Sequence, residues 1–219
     1  MKVLVTGGAG FIGANLVKKL GTLDEADEIA VIDDLSFGFR ENLENTNVTL
    51  YEGSILDKDL LGIAAAGASV IVHLAARSSV PRSIAEPIAA HEVNATGTAM
   101  VLEAARREGA VQVIFASSSS VYGSTEELPK HEGLVPRPIS PYGASKLAAE
   151  SYALAWGRCY GFPVLALRFF NVYGPLQPPT HAYAAVVPAF IAAACDNRPL
   201  PIFGDGNQYR DFTFVESVV

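Results

Sequence analysis

A short apolar segment, Lys2–Thr6, runs without a linker into Gly7-Gly8-Ala9-Gly10-Phe11-Ile12-Gly13 and from there into a helical stretch, Gly13–Leu20. A strand, a glycine turn and a helix in immediate succession restrict the chain to folds in which backbone must pass very close to backbone or to a ligand. In that setting Gly7 permits the tight turn, Gly10 lets the main chain approach a pyrophosphate, and Gly13 allows the helix to pack closely on the sheet. A glycine turn is also useful with no ligand at all. The second strand decides between these readings, because it ends in Asp33, twenty residues beyond Gly13, where a carboxylate can accept the hydroxyls of an adenine ribose. A second acid, Asp34, follows it and would repel a 2′-phosphate, so the pair selects NAD over NADP.

Short Val- and Ile-rich runs recur at Lys2–Thr6, Ile29–Asp33, Val48–Glu52, Val70–Ala75, Val111–Ser117 and Pro163–Phe170. They are nearly continuous in apolar residues, as expected of strands covered on both faces. Helical stretches lie between them, notably Glu92–Glu108 and Ser145–Tyr160, the latter stopped by Gly161 and Pro163. This alternation predicts an α/β fold, a Rossmann-type doubly wound parallel sheet. After Phe170 the prolines 175, 178, 179, 199 and 201 break the rhythm, with no further clean strand–helix unit, and a smaller, less regular subdomain is expected. The 219 residues allow one large α/β domain with an appendage.

The acidic balance, 16 basic against 23 acidic residues for a net charge of −7, gives no electrostatic footprint for nucleic acid. No run approaches the roughly 18 apolar residues of a membrane span, and the glycines interrupt any secretion-signal core at the N-terminus. Cys159 and Cys195 have no metal-ligand spacing and sit in apolar stretches, so they are expected to be small buried hydrophobes in a reducing cytoplasm.

A second chemical signal is Tyr142-Gly143-Ala144-Ser145-Lys146, which puts a phenol and an ammonium one helical turn apart on the same face. A phenol is only about 0.1% ionised at neutral pH, so its use as a base costs about 4 kcal/mol unless a cation favours the phenolate. Lys146 is placed to supply that charge. Ahead of it, Ser117-Ser118-Ser119-Ser120-Val121-Tyr122-Gly123 puts hydroxyls at the carboxyl end of a central strand, where such sheets keep their ligand crevice. His73, at the end of a buried strand, reads as a packed, hydrogen-bonded residue, and His91, His131 and His181 are scattered. Tyr122 and Phe170 are expected to pack against the cofactor pocket.

These segments, in this order, together with HLAA, VNATGT, LRFFNVYGP and FGDGNQYRDFTFV, resemble the extended short-chain dehydrogenase/reductase family, the NAD-dependent epimerases and dehydratases, and most of all its UDP-glucose 4-epimerase branch. The resemblance implies that Gly7, Gly10, Phe11, Ile12 and Gly13 hold the pyrophosphate and that Asp33 and Asp34 face the adenosine ribose. Ser54 and Ile55 would lie near adenine, with Ser54 in place of the family's usual acid. Leu74, Ala75, Ala76 and Asn94 would line the inner path of the cofactor. Tyr142 is then the base, Lys146 the grip on the nicotinamide ribose, and Ser118, flanked by Ser119, the hydroxyl that bonds the reacting sugar oxygen. Asn171 and Arg210 correspond to contacts with a nucleotide-sugar diphosphate.

Dehydratases that resemble this chain carry Asp-Glu where it has Ser119-Ser120, and decarboxylases keep a Glu, so an epimerase acting through a transient 4-keto sugar is the simpler chemistry. A dehydratase or decarboxylase, and an idle NAD-binding protein, are the alternatives. The family pattern continues past Val219, which implies a NAD-binding domain over residues 1–174 and an incomplete nucleotide-sugar-binding subdomain over 175–219. The helices Glu92–Arg107 and Ser145–Tyr160 match those that form a four-helix homodimer interface in the family.

Overall fold

The computed structural model describes residues 1–109, 112–179, 185–202 and 204–219. Six strands, β1 (Lys2–Thr6), β2 (Glu28–Asp33), β3 (Val48–Glu52), β4 (Val70–His73), β5 (Gln112–Ser118) and β6 (Val164–Phe169), form one sheet in the order β3-β2-β1-β4-β5-β6. Every pairing in it is parallel. The strand order reverses between β1 and β4, and the loops at the carboxyl ends of these two strands part to leave a crevice.

Alternation along the strands divides the core. Val3, Val5, Ile29 and Val31 pack with Val17 of α1 (Phe11–Leu20) on one face. Leu4, Ile32, Ile71 and Phe115 pack on the other against α2 (Lys58–Ala65), α5 (Gly97–Glu108) and α6 (Pro141–Tyr160). Two short helices, α3 (Val80–Ala85) and α4 (Pro87–His91), lead into a π-helical turn at Glu92–Thr96 before α5 begins. Local chemistry sets the boundaries of α6: the Ser140 side chain accepts from the Gly143 N–H at 3.0 Å, Pro141 occupies the first turn, and Gly161 ends the helix at φ 75°. Beyond the sheet lie β7 (Val172–Tyr173), α7 (Val186–Cys195) and β8 (Thr213–Phe214), with β7 and β8 paired in parallel.

The structure corrects three sequence expectations. The edge strands β3 and β6 are not covered on both faces, and Leu165 is 46% exposed, because an edge strand needs fewer covering neighbours than the sheet centre. A clean helix, α7, follows the prolines, carried by the Ala-rich run that lies between them. Cys159 and Cys195 are both exposed, on the last turns of α6 and α7, where apolar neighbours in sequence fall on other faces of the helix. Val111, where the apolar pattern starts the fifth strand, and His181 lie outside the described residues.

The glycine turn is tight enough to be tested. A Cβ on Gly13 would sit 2.2 Å from the Gly7 carbonyl oxygen, and one on Gly7, at φ 71°, would sit 2.7 Å from the Ala75 nitrogen. Gly13→Ala is therefore expected to lower stability by about 1–3 kcal/mol through backbone displacement. The same variant loses NAD affinity, and urea unfolding with cofactor titration checks both effects.

Candidate active site

A cleft of about 610 Å³ opens at the carboxyl ends of β1, β2 and β4. The expected residues Gly7, Gly10, Phe11, Ile12, Gly13, Asp33, Asp34, Ser54, Ile55, Leu74, Ala75 and Ala76 all line it. At its floor no side chain caps the N-terminus of α1, so the first N–H groups of that helix face the cleft. A Cβ on Gly10 would meet only the Gly7 oxygen, at 3.3 Å, so a ligand can come up against this backbone. A bare helix N-terminus beside open glycine backbone suits a diphosphate.

Asp33 is buried, and its carboxylate accepts from Ala9 N–H and Leu35 N–H, both at 2.9 Å. Burial raises its pKa and these backbone donors oppose the rise. Asp34 is exposed and accepts from Ser36 N–H at 2.9 Å, while Arg40 is tied to Glu52. With Arg40 engaged elsewhere, the acidic pair still disfavours a 2′-phosphate. The residues present fit NAD.

Ser118, Tyr142, Lys146 and Asn94 are not part of the cleft wall; they form a buried cluster beside it. The phenol of Tyr142 is hydrogen-bonded to the Ser118 side chain. Burial raises the Tyr142 pKa, and the bond to Ser118 only partly offsets this. Lys146, 3% exposed, sits with its Nζ 4.5 Å from the centroid of the Phe115 ring. Burial pulls its pKa down to about 7, against the pull of Glu150, which favours the charge. In the cofactor-free chain, then, burial disfavours both the phenolate of Tyr142 and the ammonium of Lys146.

A run of hydrogen bonds ties this cluster to the glycine turn. Thr6 Oγ1 accepts from Ala75 N–H at 3.2 Å and lies 2.6 Å from His73 Nδ1, whose Nε2 lies 2.9 Å from Thr98 Oγ1. Thr98 donates to the Asn94 carbonyl at 2.6 Å, so its oxygen must accept from His73, which fixes the proton on Nε2. Burial and then the Lys146 charge hold His73 down at about 3, so it stays a neutral packing residue, as the sequence suggests. The Asn94 side chain, in the π-helical turn, donates to Ser145 Oγ at 3.0 Å, and Ser145 donates to the Tyr142 carbonyl at 2.8 Å. Ser83 Oγ accepts from the Tyr142 N–H at 3.0 Å. The backbone on both sides of the Tyr142 Cα is thus held by side chains.

Under the cluster, Arg168 grips Glu150 at 2.7 Å and Ser117 donates to the same carboxylate at 2.5 Å. Ser119 and Ser120 form a single 3-10 turn after β5. Tyr122 and Phe170 pack on each other at 6.0 Å, beside Val121, Leu134 and Leu147, rather than on the cofactor cleft, because Tyr122 lies under the Arg168 guanidinium. Asn171 donates to the Asp211 carbonyl at 2.8 Å, which places Arg210 in the same exposed patch, apart from the residues lining the cleft. The sequence reading missed Arg77, Arg82, Ser83 and Glu150. The i, i+4 spacing of Lys146 and Glu150 was the available signal for the last of these.

The buried Lys146 gives a prediction with a definite sign. Its folded pKa lies below its unfolded one, so its charging opposes folding in full below about pH 7, and the penalty fades as pH rises toward the ordinary lysine value. Lys146→Met is expected to stabilise the cofactor-free chain by about 1–4 kcal/mol near neutrality while weakening NAD binding. Urea unfolding should show a larger gain at pH 6.5 than at pH 9.

The family model described as the NAD dependent epimerase/dehydratase family matches residues 3–219. The UDP-glucose 4-epimerase of Mycolicibacterium smegmatis is 42% identical over 225 residues, spanning 100% of this chain and 71% of that protein. A dTDP-glucose 4,6-dehydratase of Streptomyces niveus is 37% identical, spanning 98% of this chain and 66% of that protein. Among solved structures, the Thermus thermophilus UDP-glucose 4-epimerase in complex with NAD superposes with a TM-score of 0.90 at 38% identity, covering 100% of this chain and 72% of that one. With the family pattern running through the glycine turn, the Ser118–Tyr142–Lys146 cluster and the Asn171 and Arg210 patch, the chain belongs to the NAD-dependent epimerase/dehydratase family.

Proposed function

We propose that the chain is an NAD-dependent nucleotide-sugar 4-epimerase of the UDP-glucose/UDP-galactose type. The observation that carries this reading is the placing of Ser119 and Ser120 directly after Ser118, where elimination of water would need a carboxyl pair. The buried Glu150 is engaged by Arg168 and Ser117 and has no freedom to act as an elimination base. The glycine turn and Asp33 would hold NAD, which would supply reversible hydride chemistry at the sugar C4 through a transient 4-keto sugar.

Tyr142 takes the proton of the C4 hydroxyl and gives it back on reduction, with Ser118 bonding the same oxygen. Lys146 makes phenolate formation accessible when its ammonium is retained against the cofactor ribose. Asn171 and Arg210 serve the substrate diphosphate, for which the planar guanidinium is apt. Incubation with UDP-glucose and NAD, followed by chromatographic separation of UDP-galactose, tests the reading. Production of UDP-galactose is expected, whereas a 4-keto-6-deoxy product or an unchanged substrate contradicts it.

No helix among the described residues is long and apolar enough to cross a membrane. We place the protein in the cytoplasm, as a homodimer through α5 and α6. Tyr152 and Tyr160 of α6, 44% and 53% exposed, flank Trp156 on one side of the helix, an aromatic stripe that a second copy would cover. A monomeric mass by light scattering contradicts the dimer.

A further inference from the structure

Among the described residues, the walls of the cleft hold two arginines, and one of them has an acidic partner. Arg77 pairs with Glu86 at 2.5 Å. Arg82, half-buried on α3, makes no ion pair among the described residues; its guanidinium carbon lies 4.4 Å from the centroid of the Phe37 ring, and both residues line the cleft. They come from opposite lips, Phe37 from the loop after β2 and Arg82 from the segment after β4.

Both lips are anchored. Beside Phe37, Phe39 N–H and Asn42 Nδ2 both donate to the Ala9 carbonyl, at 3.1 and 2.8 Å, and a Cβ on Gly38 would come within 2.8 Å of the Ala9 carbonyl carbon. Next to Arg82, Ser83 holds the Tyr142 N–H. A guanidinium stacked by its face on an aromatic ring keeps its edge N–H groups available. In a chain of net charge −7, whose cleft also carries Asp33 and Asp34, such a cation needs an anionic partner.

We propose that Arg82, seated on Phe37, is a cofactor-binding residue that closes over the cleft and donates to the diphosphate of the bound dinucleotide. Phe37 acts through Arg82 as a positioning residue. The inference rests on the NAD seat and not on the sugar chemistry.

Calorimetric titration of the cofactor-stripped chain with NAD, ADP and adenosine tests it. Arg82→Met is expected to raise the Kd for NAD and ADP about tenfold or more, as for loss of a charge-assisted contact, and to leave adenosine within about twofold. Arg82→Lys, which keeps the charge but loses the fork, should fall between wild type and Arg82→Met. Phe37→Leu should weaken NAD about three- to tenfold in the wild-type background and add nothing in the Arg82→Met background. Unchanged NAD affinity in Arg82→Met, an equal loss for adenosine, or additivity of the two substitutions would overturn the proposal. A wild-type chain that binds NAD yet leaves UDP-glucose unchanged contradicts the epimerase reading and leaves this one standing.

Discussion

Tyr142→Phe is expected to reduce kcat for UDP-glucose by about 10³-fold, toward the upper part of the range for loss of a proton-transferring side chain. The expectation follows from how completely the ring is fixed. Its N–H is held by Ser83, its carbonyl by Ser145, and the residue is 9% exposed, so phenylalanine fits the same envelope and only the hydroxyl is lost. Binding of NAD and KM for the sugar nucleotide should change by no more than a few fold, the pattern of an interaction made mainly in the transition state. Initial rates at saturating substrate, alongside a cofactor titration, check both. A fall of less than tenfold would mean that another group moves the proton.

The second large effect is on stability. Glu150 and Arg168 have side chains only 8% and 13% exposed, and they join α6 to β6 behind the candidate catalytic cluster. The carboxylate has three partners in Arg168 Nε, Arg168 Nη2 and Ser117 Oγ, whereas Arg168 Nη1 is buried without a hydrogen bond among the described residues. Arg168→Met strands a buried carboxylate, and a loss of about 3–5 kcal/mol is expected. Replacing both partners by Met removes the uncompensated charge and should recover most of that loss. Burial works to raise the Glu150 pKa, but Arg168 and Ser117 outweigh it and the net shift is downward. Its contribution to stability is therefore present above the ordinary carboxylate range and lost as pH falls through the depressed folded value. Urea unfolding as a function of pH should show that acid-side loss in wild type and its absence in the double variant.

The parallel sheet was legible in the sequence because its signals are local. Apolar runs mark the strands, and Gly7 and Gly13 are demanded by close backbone contacts that the structure contains, whereas Gly10 leaves its backbone open to a ligand. The boundaries of α6 were readable for the same reason, since Ser140, Pro141 and Gly161 act on their own neighbours. What escaped depends on partners distant in sequence. Neither the exposure of Cys159 and Leu165 nor the rotation of Asn94 by a π-helical turn follows from adjacent residues. Ser83 looks like an ordinary serine until α3 folds against the N-terminus of α6, and Arg82 and Phe37 meet only because β1 and β4 are neighbours in the sheet. The lowered pKa of Lys146 arises from burial, which no spacing rule reports.

The central claim is a reversible, NAD-mediated oxidation at C4 with the hydride kept inside the site. Incubating the chain with UDP-glucose carrying deuterium at C4 tests it most directly. The account predicts UDP-galactose with the deuterium still at C4 and none lost to water. Label found at C6 of a keto-deoxy sugar, or exchanged with solvent, would contradict it.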